Sequence, residues 1–121
     1  MAGNATQLAA AHCAACEGNA PKLTPKEVKE RLSDLAGWKL NADGLRIRKD
    51  WRVETFAAGI EFLNRVAEVA EAEDHHPDLH LEDYRNVWIE LWTHAIGGLS
   101  ENDFILAAKI DRLPIEVPRT A

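Results

Sequence analysis

Apolar positions along this chain follow two alternating rhythms, a helical spacing and a strand spacing, in the order helix, strand, strand, helix, strand, strand, helix. The run Thr24-Pro25-Lys26-Glu27 makes a strong helix start: Thr24 caps, Pro25 suits the first helical position and Glu27 reaches back to the cap. That helix is expected to reach about Ala36, with Val28, Leu32 and Leu35 on one face and Gly37 ending it. Trp38 and Leu40, the turn residues Asn41-Ala42-Asp43-Gly44, and then Leu45, Ile47 and Trp51 describe a hairpin with one buried face. From Thr55 the period lengthens again. Phe56, Ile60, Leu63, Ala67 and Ala70 form a stripe, widened by Val66 and Val69, on a helix running to about Ala72.

Pro77 stops that helix, and Leu79 and Leu81 alternate with Asp78 and His80 as a short strand. A turn near 82–86 leads to a longer strand with Val87, Ile89, Leu91 and Thr93 on one face and Trp88, Glu90, Trp92 and His94 on the other. Gly97-Gly98 makes a loop, Ser100 with Asp103 forms a second capping box, and a last helix runs to about Asp111 with Phe104, Ala107 and Ala108 at helical spacing. The order predicts an α+β fold: a four-stranded antiparallel sheet with three helices on one face, α-β-β-α-β-β-α. The expected division is a flexible N-terminal tail over 1–22, one domain over 23–113 and a C-terminal tail over 114–121. An exposed Trp88/Trp92 pair would be a poor solvent surface, so that face is expected to meet another subunit in a homodimer or homotetramer.

Composition narrows the partners. A chain of 121 residues supports a core that needs neither metal nor disulfide, and 46% hydrophobic with 28% charged residues is ordinary for a globular domain. No apolar run approaches the roughly 20 residues that span a bilayer, so no membrane partner is expected. With 14 basic against 20 acidic residues the net charge is −6, which offers no general attraction to nucleic acid or anionic lipid. Arg46, Arg48, Lys49 and Arg52 read as a solvated strand face rather than an anion site. The N-terminus lacks the basic start and apolar middle of a secretory signal, and the protein reads as cytoplasmic. Cys13 and Cys16 have the spacing of a redox pair or half a zinc site; His12 adds at most a third ligand, so reduced thiols in a tail are the simpler reading.

Candidate chemistry gathers between Glu71 and Asp111, which holds four of the five histidines. His75 and His76 sit where a helix ends against Pro77, and His94 ends the long strand before the glycine loop. Imidazole gives and takes protons near neutral pH. Several such groups, with no serine or cysteine paired to them, argue for proton transfer over nucleophilic catalysis. Pro77 denies His76 and His80 a shared helix, and His-Glu-x-x-His is absent, so no metal site is expected. His80, on an alternating strand without a partner, reads as a packing residue. Asp103 also reads as the carboxylate of a helix cap. Glu71, Glu73 and Asp74 oppose the negative end of the helix dipole, which is locally unfavourable.

At these residues the sequence resembles the pterin-4a-carbinolamine dehydratases. The pattern comprises Glu71, three residues, His75-His76-Pro77, six residues, Tyr84, nine residues, His94, eight residues and Asp103. The resemblance implies a hydro-lyase, a 4a-hydroxytetrahydrobiopterin dehydratase that converts its pterin substrate to quinonoid dihydrobiopterin and water. It places His75, His76 and His94 in the catalytic site with Asp103 and Pro77 supporting, and requires no metal or organic cofactor. His75 and His94 are then the acid/base pair and His76 orients substrate. Many family members have five residues between His-His-Pro and the aromatic. The WTHAIGGLSENDFILAAKID run also resembles a branch of this fold associated with Rubisco assembly. That likeness implies an alternative, a Rubisco assembly factor or chaperone of carboxysome or plastid type.

Overall fold

In the computed structural model, which describes residues 5–11 and 21–118, the elements are α1 (Ala5–Ala10), α2 (Pro25–Ser33), β1 (Lys39–Leu40), β2 (Ile47–Arg52), α3 (Phe56–Glu73), β3 (Asp78–Glu82), β4 (Asn86–Leu91), a 3-10 turn (His94–Ile96) and α4 (Glu101–Ile110). His12, Cys13 and Cys16 lie outside the described residues. The helix starts form as their chemistry dictates. Thr24 N–H donates to Glu27 Oε1 at 2.9 Å and Glu27 N–H to Thr24 Oγ1 at 3.2 Å. The Thr24 backbone N–H first, and the Thr24 side chain after it, hold the Glu27 carboxyl below its ordinary value. Thr55 caps α3 by accepting from Ala58 N–H.

The strands pair antiparallel throughout, in the order β1-β2-β4-β3. Ile47 lies opposite Leu91 and Trp51 opposite Val87, so alternation sends Ile47, Val87, Ile89 and Leu91 to one fully buried face. They join a core with Phe62 and Val66 of α3 and Phe104 and Leu106 of α4. Burying each such side chain contributes about 1.5–3 kcal/mol. This is an α+β fold with a four-stranded antiparallel sheet, as expected. Helix α4 is buried from Asn102 to Ala108, because it packs against both α1 and α3.

Three details depart from the sequence reading. Ala5–Ala10, within the expected tail, form a helix: Leu8 is buried, and Lys109 Nζ donates to the Ala9 carbonyl at 2.8 Å. Six residues cannot hold a helix in isolation, so this one owes its existence to docking on α4. The second departure is the face that α3 buries. Ala58, Phe62, Val66 and Ala70 point inward, whereas Phe56 is 53% and Ile60 41% exposed. Gly59 lies on the buried face too, and a Cβ there would lie 3.1 Å from a Leu81 methyl, so the helix comes close to Leu81 at this residue.

The third departure is the outer sheet face, which is not bare indole. The Arg46 guanidinium lies 4.5 Å over the Trp92 ring, Arg48 lies 4.6 Å over Trp88, and His80 stacks on Trp88 at 4.7 Å. The expected exposed tryptophan pair is therefore half-covered by the chain's own cations. Lys49 leaves the expected solvated cluster altogether, lying 5.3 Å over Trp51 and pairing with Asp111 at 2.9 Å.

Candidate active site

Helix α3 ends at Asp74, whose backbone is left-handed at φ 51° and whose N–H reaches back to the Ala70 and Glu71 carbonyls. This abrupt end sends the next two residues different ways. His75 turns inward and is 3% exposed; His76 is exposed, 3.7 Å from Glu71. Pro77 then starts the path into β3. The acidic helix end has a partial explanation: Glu73 is largely buried and lies 3.7 Å from Lys109 Nζ, which offsets its charge.

His75 Nε2 lies 2.6 Å from Asp103 Oδ1. Asp103 is the third residue of α4 and fully buried. Its second oxygen accepts from Thr93 Oγ1 at 2.8 Å and from the Ser100 backbone N–H at 3.0 Å, and the Thr93 and Ser100 hydroxyls are 2.7 Å apart. A buried carboxylate survives only when so surrounded, and the start of a helix adds a favourable dipole. Both Asp103 oxygens are thus engaged, Oδ2 by the donors from Thr93 and Ser100 and Oδ1 by His75 Nε2. Asp103 thus orients the imidazole as well as capping the helix.

Strand β4 stops at Leu91, and the chain continues through Trp92 and Thr93 into the 3-10 turn that begins at His94. His94 is therefore on a turn rather than at a strand end, and its ring rests against Trp92 at 4.4 Å. Asp74, His75, His76, Trp92, Thr93, His94 and Ala95 line one cleft of about 160 Å³. The fold brings all three predicted histidines to it, with Asp103 behind His75. Pro77 shapes the approach without lining the cleft, and Tyr84 sits away at the β3–β4 turn with left-handed backbone at φ 48°. His80 lies on the outer face against Trp88. Among the described residues, no group of three or more His, Cys, Asp or Glu is placed to hold a metal.

Sequence reasoning missed Thr93 and Trp92 as parts of this site. Thr93 had a signal, a hydroxyl at a core-facing strand position that has to find a hydrogen-bond partner. Trp92 had none beyond its neighbour His94. Such an arrangement suits acid/base chemistry on a small molecule, with one oriented, buried imidazole and two exposed ones around a shared space.

Comparison with known proteins bears on the same residues. Residues 21–113 match the family model described as pterin 4 alpha carbinolamine dehydratase. An Arabidopsis thaliana protein named pterin-4-alpha-carbinolamine dehydratase 2, mitochondrial, is 53% identical over 78% of this chain and 51% of its own length. This chain thus spans about half of that plant relative. A Nitrosospira multiformis protein given the dehydratase name provisionally is 45% identical over 88% of this chain and 91% of its own. The crystal structure of a transcriptional coactivator/pterin dehydratase from Brucella melitensis superposes with a TM-score of 0.71 at 31% identity, covering 75% of this chain and 96% of that one.

Proposed function

Since this chain belongs to the pterin-4-alpha-carbinolamine dehydratase family, we propose that it dehydrates 4a-hydroxytetrahydrobiopterin to quinonoid dihydrobiopterin. One observation carries the reading: three histidines line one cleft, and one of them is oriented by a buried carboxylate at 2.6 Å. In the reaction the bond from C4a to the hydroxyl oxygen breaks as that oxygen takes a proton and leaves as water. N5 gives up its proton, and the electrons form the N5–C4a double bond. An acid and a base on either side of the ring therefore suffice. His75 and His94 are assigned as that pair and exposed His76 as the group that orients the pterin. Asp103 fixes His75, and Pro77 holds the turn between His76 and β3. Neither a metal nor an organic cofactor enters the scheme.

The purified protein is expected to accelerate loss of the carbinolamine above its spontaneous rate, and His75→Ala or His94→Ala to remove most of that acceleration. A wild-type rate equal to the spontaneous one would sink the proposal. Neither fold nor relatives add an observation that favours the Rubisco assembly factor alternative. Self-association into a dimer or tetramer is proposed as well, supported by exposed Phe56 and Ile60 on α3 rather than by the cation-covered tryptophans. Light scattering at micromolar concentration checks it, and a monomer refutes it.

A further inference from the structure

We propose that Trp92 is a positioning residue whose indole ring, held by Arg46, sets the orientation of the His94 imidazole; this rests on the dehydratase reading above. His94 opens a three-residue 3-10 turn and is exposed. Its ring makes no hydrogen bond within the described residues, and its ring contact is Trp92, with centroids 4.4 Å apart and planes tilted by 46°. An exposed imidazole on a short turn samples several rotamers unless a surface restrains it. The indole is that surface.

The indole itself is held. The Arg46 guanidinium lies 4.5 Å over its centroid. Arg46 in turn is 3.4 Å from Glu90 Oε1 and 3.8 Å from Asp78 Oδ2, and Asn41 donates to the same Glu90 carboxylate at 3.1 Å. A line of contacts therefore runs from the β1–β2 turn across β4 to the cleft. Trp92 Nε1 is buried with no hydrogen-bond partner. The residue thus supplies its ring faces here and not its N–H, which suits a stacking surface. Elsewhere on the same sheet face, Arg48, Trp88 and His80 repeat the arrangement, with His80 and Trp88 nearly parallel at 12°. Neither Trp88 nor His80 lines the cleft, so that copy serves as a control.

Dehydration kinetics and the His94 Cε1–H resonance, identified by its loss in His94→Gln, are to be measured on the full chain. Wild type, Trp92→Ala, Trp92→Phe and Trp88→Ala are compared. Misplacing one acid/base group should lower kcat about tenfold or more in Trp92→Ala while KM stays within about twofold. Trp92→Phe should restore most of kcat, and Trp88→Ala should leave both constants at wild type. In Trp92→Ala the His94 resonance should move from its ring-current-displaced position to that of a free imidazole. If Trp92→Ala does not fold, Arg46→Gln replaces it, with a smaller loss of about threefold in kcat expected.

Wild-type kcat in Trp92→Ala overturns the inference, as does a raised KM with kcat kept, which would mean that Trp92 binds substrate. An unmoved His94 resonance overturns it whatever the kinetics show. A wild-type chain that does not dehydrate the carbinolamine defeats the dehydratase reading instead, and the resonance then decides the Trp92–His94 contact alone.

Discussion

His75 and His94 face one cleft but are held by different physics. His75 is buried and fixed through a hydrogen bond to a carboxylate that itself takes donors from Thr93 and Ser100. His94 is exposed and rests on an aromatic face. A buried hydrogen-bonded network specifies geometry tightly but makes every member costly to remove. An exposed ring resting tilted on an indole contributes little to folding, and its loss leaves no unsatisfied group behind. Stability and chemistry should therefore be coupled on the His75 side of the cleft and separable on the His94 side.

That contrast can be broken in three ways. Asp103→Ala strands the donors of His75, Thr93 and Ser100 in the interior, so urea denaturation should show a loss of about 3–5 kcal/mol, with dehydration abolished. A loss below about 1 kcal/mol would mean that the network is not a structural element. Thr93→Val removes one donor of similar volume. It should cost about 1–2 kcal/mol in the same assay and slow dehydration through His75 without emptying the cleft. His94→Gln should change stability by less than about 0.5 kcal/mol while removing most activity. A large stability loss there would erase the distinction.

A small effect away from the cleft concerns Asp50, whose carboxyl is held below the usual range chiefly by its hydrogen bond to Arg48. A depressed carboxyl contributes stability above its unfolded value, and that contribution is lost as pH falls through its folded value. Because the Asp50 side chain is 60% exposed, solvent screening limits Asp50→Asn to about 0.5 kcal/mol at neutral pH. The difference from wild type should shrink toward zero in acid. A difference that persists at low pH would show that something other than the charge is at work.

The parts of the fold written in local chemistry were legible. Thr24 and Thr55 cap as their side chains allow, and Ile47, Val87, Ile89 and Leu91 alternate into one face because strand geometry leaves no choice. What was not legible depended on a second surface. The stripe of α3 drawn through Phe56 and Ile60 takes in Val66 and Ala70 but misses Phe62, and the buried face is the one on which Gly59 meets Leu81 and Val53. Helix α1 needed α4 to exist. At the site, the spacing of His75, His76, His94 and Asp103 was visible along the chain, but the cation cover over Trp88 and Trp92 was not. Arg48 comes from β2 and Arg46 from the turn just before it, and they reach the indoles only once β2 is paired with β4.

The left-handed residue at Asp74 fixes a phase as well as a helix end. Two adjacent imidazoles leave it with opposite fates, one entering the protein and one meeting solvent. Their chemical identity is the same, so only the count of residues from Asp74 distinguishes them. One residue inserted between Asp74 and His75 would bring His75 to the solvent-facing place and leave Asp103 facing a stranger. The His-His pair is thus a positional code, read by a single backbone turn.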